Sequence, residues 1–148
     1  MNMTIKEFKR GMVKLSEHGR FQLKADGNII YCRFVESWNQ EASVVCLAEL
    51  AKCLQQLKGE SIMMIVDSTD FEGGIEENYP LWRASLPLWL ENGMTHFIRI
   101  DDLESTYYKM FVKRMDETLQ TIFELSFAKD FNDAIKQAHS YGFSGFET

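Results

Sequence analysis

The run SIMMIVD, Ser61 to Asp67, constrains the fold more than any other stretch of the chain. It is too short for a helix and too apolar for a strand with one solvated face. It is therefore expected to be a strand covered on both sides, as in a parallel sheet. THFIRID, Thr95 to Asp101, is another short strand. Parallel neighbours need crossover connections, so helices are expected between them.

The remaining segments supply those partners. RFQLKADGNIIYCRFVESW reads as a hairpin: Phe21, Leu23 and Ala25 alternate with polar residues, and Asp26-Gly27-Asn28 offers the turn. The following helix starts at Ser37 or Asn39 as its cap, with Gln40 three after Ser37 and Glu41 suiting the positive helix end. Its predicted stripe is Val44, Leu47, Ala51 and Leu54, widened by Cys46, Leu50, Cys53 and Leu57. IEENYPLWRASLPLWLENG is helical in pattern; Pro80 suits its first turn, whereas Pro87 should kink or divide it. STYYKMFVKRMDETLQ is expected to be a helix with Tyr108, Phe111, Val112 and Met115 on one side. TIFELSFA reads as a strand with Ile122, Leu125 and Phe127 for burial. The last helix is capped by Asp130 and stopped by Gly142.

The sum is an α/β chain with a five-stranded mixed sheet: an opening antiparallel hairpin, then parallel strands, with about four helices. A short amphipathic helix before it, carrying Ile5, Phe8, Met12 and Leu15, forms an N-terminal extension over residues 1–18. Residues 19–148 form one domain. A chain of 148 residues that is 45% apolar can bury a full core. Its formal charge of −6 argues against a nucleic-acid partner. No segment is long and apolar enough to span a bilayer, and the polar start resembles no signal peptide, so a cytoplasmic location is expected. The three cysteines, Cys32, Cys46 and Cys53, sit in apolar patterns and are expected as reduced core thiols.

This order of elements resembles the SpoIIAA-like fold of STAS domains, which act as anti-sigma-factor antagonists. WNQE opening the first long helix, IMMIVD as the buried strand, and the close FAKDFNDAIKQAHSYGF carry the likeness; Phe127, Ala134, Gly142 and Phe143 hold the places of the closing pattern. The likeness covers roughly Gly19 to Phe146 and implies a protein-binding regulatory module. Lipid-carrying relatives imply an alternative, a small apolar ligand.

In open α/β sheets, ligands gather at the carboxyl ends of strands. The loops expected there carry Asn39, Glu41, Asp67, Asp70 and Asp101, with Glu72, Glu76, Glu77 and Asp102. Carboxylates suit a hard cation, but their spacing matches no known metal loop. Compensation of helix dipoles is the preferred reading, with no metal and no cofactor. The phosphoacceptor that the resemblance implies belongs at the start of the helix after the buried strand. Ser68 and Thr69 come too early for that role, and Glu76 and Glu77 stand where it should be, so phosphorylation at Ser68 or Thr69 is not expected. His18, His96 and His139 form no catalytic pattern with a nucleophile. The density of Tyr79, Trp82, Leu86 and Trp89 is the more unusual feature. It predicts either a thick core or an apolar surface or lid over residues 75–92, for a protein partner, a second copy of the chain or an apolar ligand.

Overall fold

A computed structural model describes residues 19–57, 59–74 and 76–147. The order is β1 (Arg20–Asp26), β2 (Ile29–Trp38), α1 (Gln40–Gln56), β3 (Ile62–Gly74), α2 (Asn78–Glu91) and β4 (Met94–Ile100). A π-helical turn (Tyr108–Val112) then runs into α3 (Lys113–Leu119), followed by β5 (Glu124–Ala128) and α4 (Phe131–Ser140). The helix expected over residues 1–18 lies outside the described residues.

The five strands lie side by side in sequence order. β1 is antiparallel to β2, and every later pair is parallel, the mixed sheet expected from the sequence. Right-handed crossovers between strands laid in sequence order put their helices on one face. There α1, α2 and α3 cover Ile30, Cys32, Met64, Val66 and Phe97 with Cys46, Leu50, Leu54, Leu86, Trp89 and Leu119. On the other face, Ile29, Tyr31, Met63, Ile65 and Ile98 meet Ala134, Ile135 and Ala138 of α4, with Phe143 and Phe146 beyond it. Successive residues of β3 thus enter opposite cores, which is why Ile62 to Val66 has no polar position.

The end of the chain is tied to the opening hairpin. Asn28 N donates to Ser144 O at 3.0 Å, and Phe146 N donates to Asp26 Oδ2 at 2.9 Å. Gly27, at φ +59°, makes this approach feasible, because a Cβ there would stand 2.0 Å from Ser144 O. α4 is capped as predicted, Asp133 N donating to Asp130 Oδ1 at 2.8 Å.

Several local expectations need correction. β3 does not stop at Asp67. Its ladder with β4 ends there, at Asp67 opposite Ile100. Pairing with β2 continues through two register shifts to Trp38 opposite Gly74. The polar run after Asp67 is therefore strand, held by one neighbour only. α2 runs unbroken through Pro87; that ring removes one backbone hydrogen bond, but buried Leu86 and Trp89 flank it and hold the helix to the sheet. The core stripe of α1 is Cys46, Leu50 and Leu54 with Ala42 and Ser43, whereas Val44 faces solvent. Asn39 is the cap, its Oδ1 accepting from Ala42 N at 2.9 Å. β5 lies at the sheet edge and begins after Ile122; Ile122 and Phe127 are exposed, and Phe123 takes the buried place. Cys32 and Cys46 touch through their sulfurs at 3.8 Å, and burial pushes the Cys46 thiol up. Among the described residues, no helix is long and apolar enough to cross a membrane.

Candidate functional site

At the carboxyl end of the sheet the helical face opens into a cavity of about 310 Å³. Its position follows from the topology. The extended halves of β2 and β3 pair beyond the point where β4 has ended, so they form one wall alone. Phe34, Trp38 and Phe71 stand on that wall; α2 supplies Tyr79, Trp82 and Trp89, and α3 with the turn before it supplies Met110, Phe111, Val112 and Met115.

The chain bends to bring Trp38 in. Glu36 adopts φ 71° at the second register shift, a conformation a non-glycine residue holds only under constraint from its surroundings. Trp38 then folds back, its Nε1 donating to Val35 O at 3.0 Å. Its ring centroid lies 4.4 Å from that of Phe34 and 6.2 Å from that of Trp82; Trp82 lies 5.9 Å from Trp89. These tilted and edge-on contacts make a stiff aromatic wall.

Several polar groups in this wall bond to one another. Trp82 Nε1 donates to Ser43 Oγ at 2.9 Å, Ser43 Oγ donates to Asn78 Oδ1 at 2.8 Å, and Asn78 Nδ2 donates to Trp38 O at 2.9 Å. α2 is thereby pinned to α1 and to the end of β2. On the other side, the Tyr79 hydroxyl shares a hydrogen bond with Thr118 Oγ1 at 2.7 Å, and the Arg114 guanidinium lies 3.8 Å over the Tyr79 ring.

A buried ionic network forms the floor. Arg99 reaches Asp116 through Nε, at 3.0 and 3.2 Å, and through Nη2 at 2.7 Å. Tyr108 donates its hydroxyl to Asp116 Oδ2 at 2.8 Å, and Arg99 Nη1 reaches Ser68 Oγ at 3.5 Å. Ser68 in turn donates to Asp101. Burial, then the Asp116 carboxylate, push the Tyr108 phenol above its ordinary range. Burial raises Asp101, against the lowering hydrogen bonds from Ser68 and from the Asp102 backbone.

The structure separates the two groups singled out in the sequence. Tyr79, Trp82 and Trp89 line the cavity, whereas Leu86 lies in the core beneath α2. None of Asn39, Glu41, Asp67, Asp70 and Asp101 is among its lining residues. Asn39 caps α1, with Glu41 in the first turn beyond it. Asp67 accepts from Tyr31 at 3.4 Å, and Asp70 pairs with Arg33. Among the described residues, no three acids, histidines or cysteines converge as a metal would need. Ser68 is only 2% exposed and points into the network, whereas Thr69 is exposed on the outer part of β3.

Sequence reasoning missed Phe34, Trp38, Phe71, Ser43, Asn78 and Arg99 as members of one site. A signal existed for one of them: a lone arginine inside the apolar strand THFIRID requires a buried partner.

No protein-family model and no curated protein matches the chain. Solved structures do. An uncharacterised DUF3478-family protein with a SpoIIAA-like fold from Shewanella loihica PV-4 aligns at TM-score 0.56 and 17% identity, covering 86% of this chain and 98% of that one. An anti-sigma factor antagonist from Mycobacterium paratuberculosis aligns at 0.54 and 8%, covering 82% and 94%. The anti-sigma factor antagonist SpoIIAA in its unphosphorylated form aligns at 0.52 and 12%, covering 82% and 98%. The chain therefore has the SpoIIAA-like fold that its sequence resembles; at these identities the likeness is one of architecture.

Proposed function

We propose that this chain is a non-enzymatic binding module of STAS-like type, that it works without a phosphoserine switch, and that its cavity takes a small apolar ligand. The observation carrying the ligand reading is the cavity of about 310 Å³ walled by all three tryptophans of the chain. Its size falls at the small end of ligand pockets. At roughly 30 Å³ per water it offers about ten water volumes, room for a ring system or a short acyl chain rather than a whole phospholipid. The Trp38 and Trp82 indoles, the Ser43 hydroxyl and the Asn78 amide already have partners, so an apolar guest leaves these four groups paired.

Absence of the switch is supported by the burial of Ser68, by its hydrogen bond to Asp101, and by Glu76 and Glu77 just before α2. A phosphate on Ser68 would have to displace Asp101 or repel it. A second reading, a protein partner at the same end of the sheet, is favoured by the fold shared with two anti-sigma factor antagonists.

Native mass spectrometry of the purified chain separates the two. The ligand reading expects a small molecule retained by the wild type and lost from a cavity-filling Met115→Trp variant. An empty chain that forms dimers or captures a protein would overturn it.

A further inference from the structure

We propose that the segment Tyr107–Arg114, at the rim of the cavity, is a docking edge for an anionic membrane surface. The inference rests on the apolar-ligand reading above, because such a ligand partitions into bilayers.

The sequence of the segment, YYKMFVKR, predicts a plain helix, but its first part forms a π-helical turn. The wider turn sends Tyr108 and Val112 inward and leaves Tyr107, Met110 and Phe111 outward, at 50%, 67% and 39% exposure. The inward side is anchored, since Tyr108 donates to Asp116, which Arg99 holds. The outward side is shaped. Tyr107 and Phe111 stack at 6.3 Å and 27°, and Phe111 rests in a notch at Gly73, where a Cβ would stand 2.5 Å from its Cε2.

Two further features identify the occupant. Met110 and Phe111 both line the cavity and face out, so an apolar path runs from the surface patch into the binding space. Lys109, Lys113 and Arg114 are interleaved with the apolar residues, so Tyr107–Arg114 itself carries three cations and no acid, between Glu104 on one side and Asp116 and Glu117 on the other. Glu104 offsets Lys109 at 3.1 Å, so the excess comes from Lys113 and Arg114, both exposed. One turn is far smaller than the ~800 Å² per partner of a stable protein interface. Exposed aromatic and thioether side chains beside basic ones instead suit the headgroup region of an anionic bilayer.

The test is flotation of the full chain with phosphatidylcholine vesicles, with and without added phosphatidylglycerol. Co-flotation should rise on the order of tenfold with the anionic lipid. It should be lost in Met110→Asp and weakened in Lys113→Glu, both exposed positions whose variants should keep the wild-type urea midpoint. No flotation, equal flotation of Met110→Asp, or a dimer abolished by Met110→Asp without flotation would each overturn the proposal. Decanoate binding measured without vesicles separates the two claims. If it persists while flotation fails, only the docking edge falls; if it is absent, the ligand reading falls and the docking edge with it.

Discussion

Arg99 and Asp116, 17 residues apart, meet through two guanidinium nitrogens with each residue 3% exposed. The pair joins β4 to α3 beneath the cavity. Its worth lies in completeness: removing one partner leaves the other's charge buried, which costs about 3–5 kcal/mol, whereas replacing both with apolar residues is often neutral. Arg99→Met is therefore expected to lose that amount in urea unfolding, and Arg99→Met with Asp116→Leu to recover part of it, less about 1–3 kcal/mol for the buried Tyr108 hydroxyl that loses its acceptor. A single variant within about 1 kcal/mol of wild type would show that the pair is not closed to water.

Ser43 has no exposure and accepts the Trp82 indole N–H. Ser43→Ala leaves that donor unpaired in the aromatic wall, at a cost of about 1–3 kcal/mol. Urea unfolding followed by far-ultraviolet dichroism reads the loss. An unchanged midpoint would mean that water reaches the indole.

The tail and the hairpin turn are expected to act as one unit. Gly27→Ala strains a positive φ and drives a methyl into Ser144 O. The loss should exceed about 1 kcal/mol, and amide exchange should speed up at Asn28, Ser144 and Phe146. Wild-type exchange at these amides would show that the tail is not held by the turn.

Asp101 supplies a pH dependence of defined sign. Burial raises its folded-state value, so the folded chain holds this proton more tightly than the unfolded chain. Its contribution to stability is present below the ordinary aspartate value of about 3.9 and is lost as pH rises through the raised one. Asp101→Asn keeps an acceptor for Ser68 and does not titrate. Urea midpoints measured across this range should show wild type losing ground to the variant as pH rises. Parallel curves, or the opposite slope, would place Asp101 in an environment that favours its charge.

What could be read from the sequence was what a single segment decides. Ile62 to Val66 had no polar position to spare, and Asp26-Gly27-Asn28 could do little but turn, so the sheet, the hairpin and the Asp130 cap of α4 were legible, while the cap of α1 was narrowed only to Ser37 or Asn39. The second half of β3 was not, because Asp67 to Gly74 is poor in strand formers and is held only by its ladder to β2. Nor was the phase of the helix at Phe111, which depends on one extra residue in a π turn. The cavity joins side chains such as Phe34, Trp82 and Met115 from separate elements. No spacing rule links them, and only the aromatic density of Tyr79 to Trp89 pointed toward it.

All three tryptophans line the cavity, so their indole N–H resonances report directly on its contents. Titration of the chain with decanoate is expected to shift the signals of Trp38, Trp82 and Trp89 together, to saturation at one equivalent. The same titration of Met115→Trp should leave these three in place. Indoles that stay fixed in the wild type, or drift without saturating, would contradict a ligand-binding cavity.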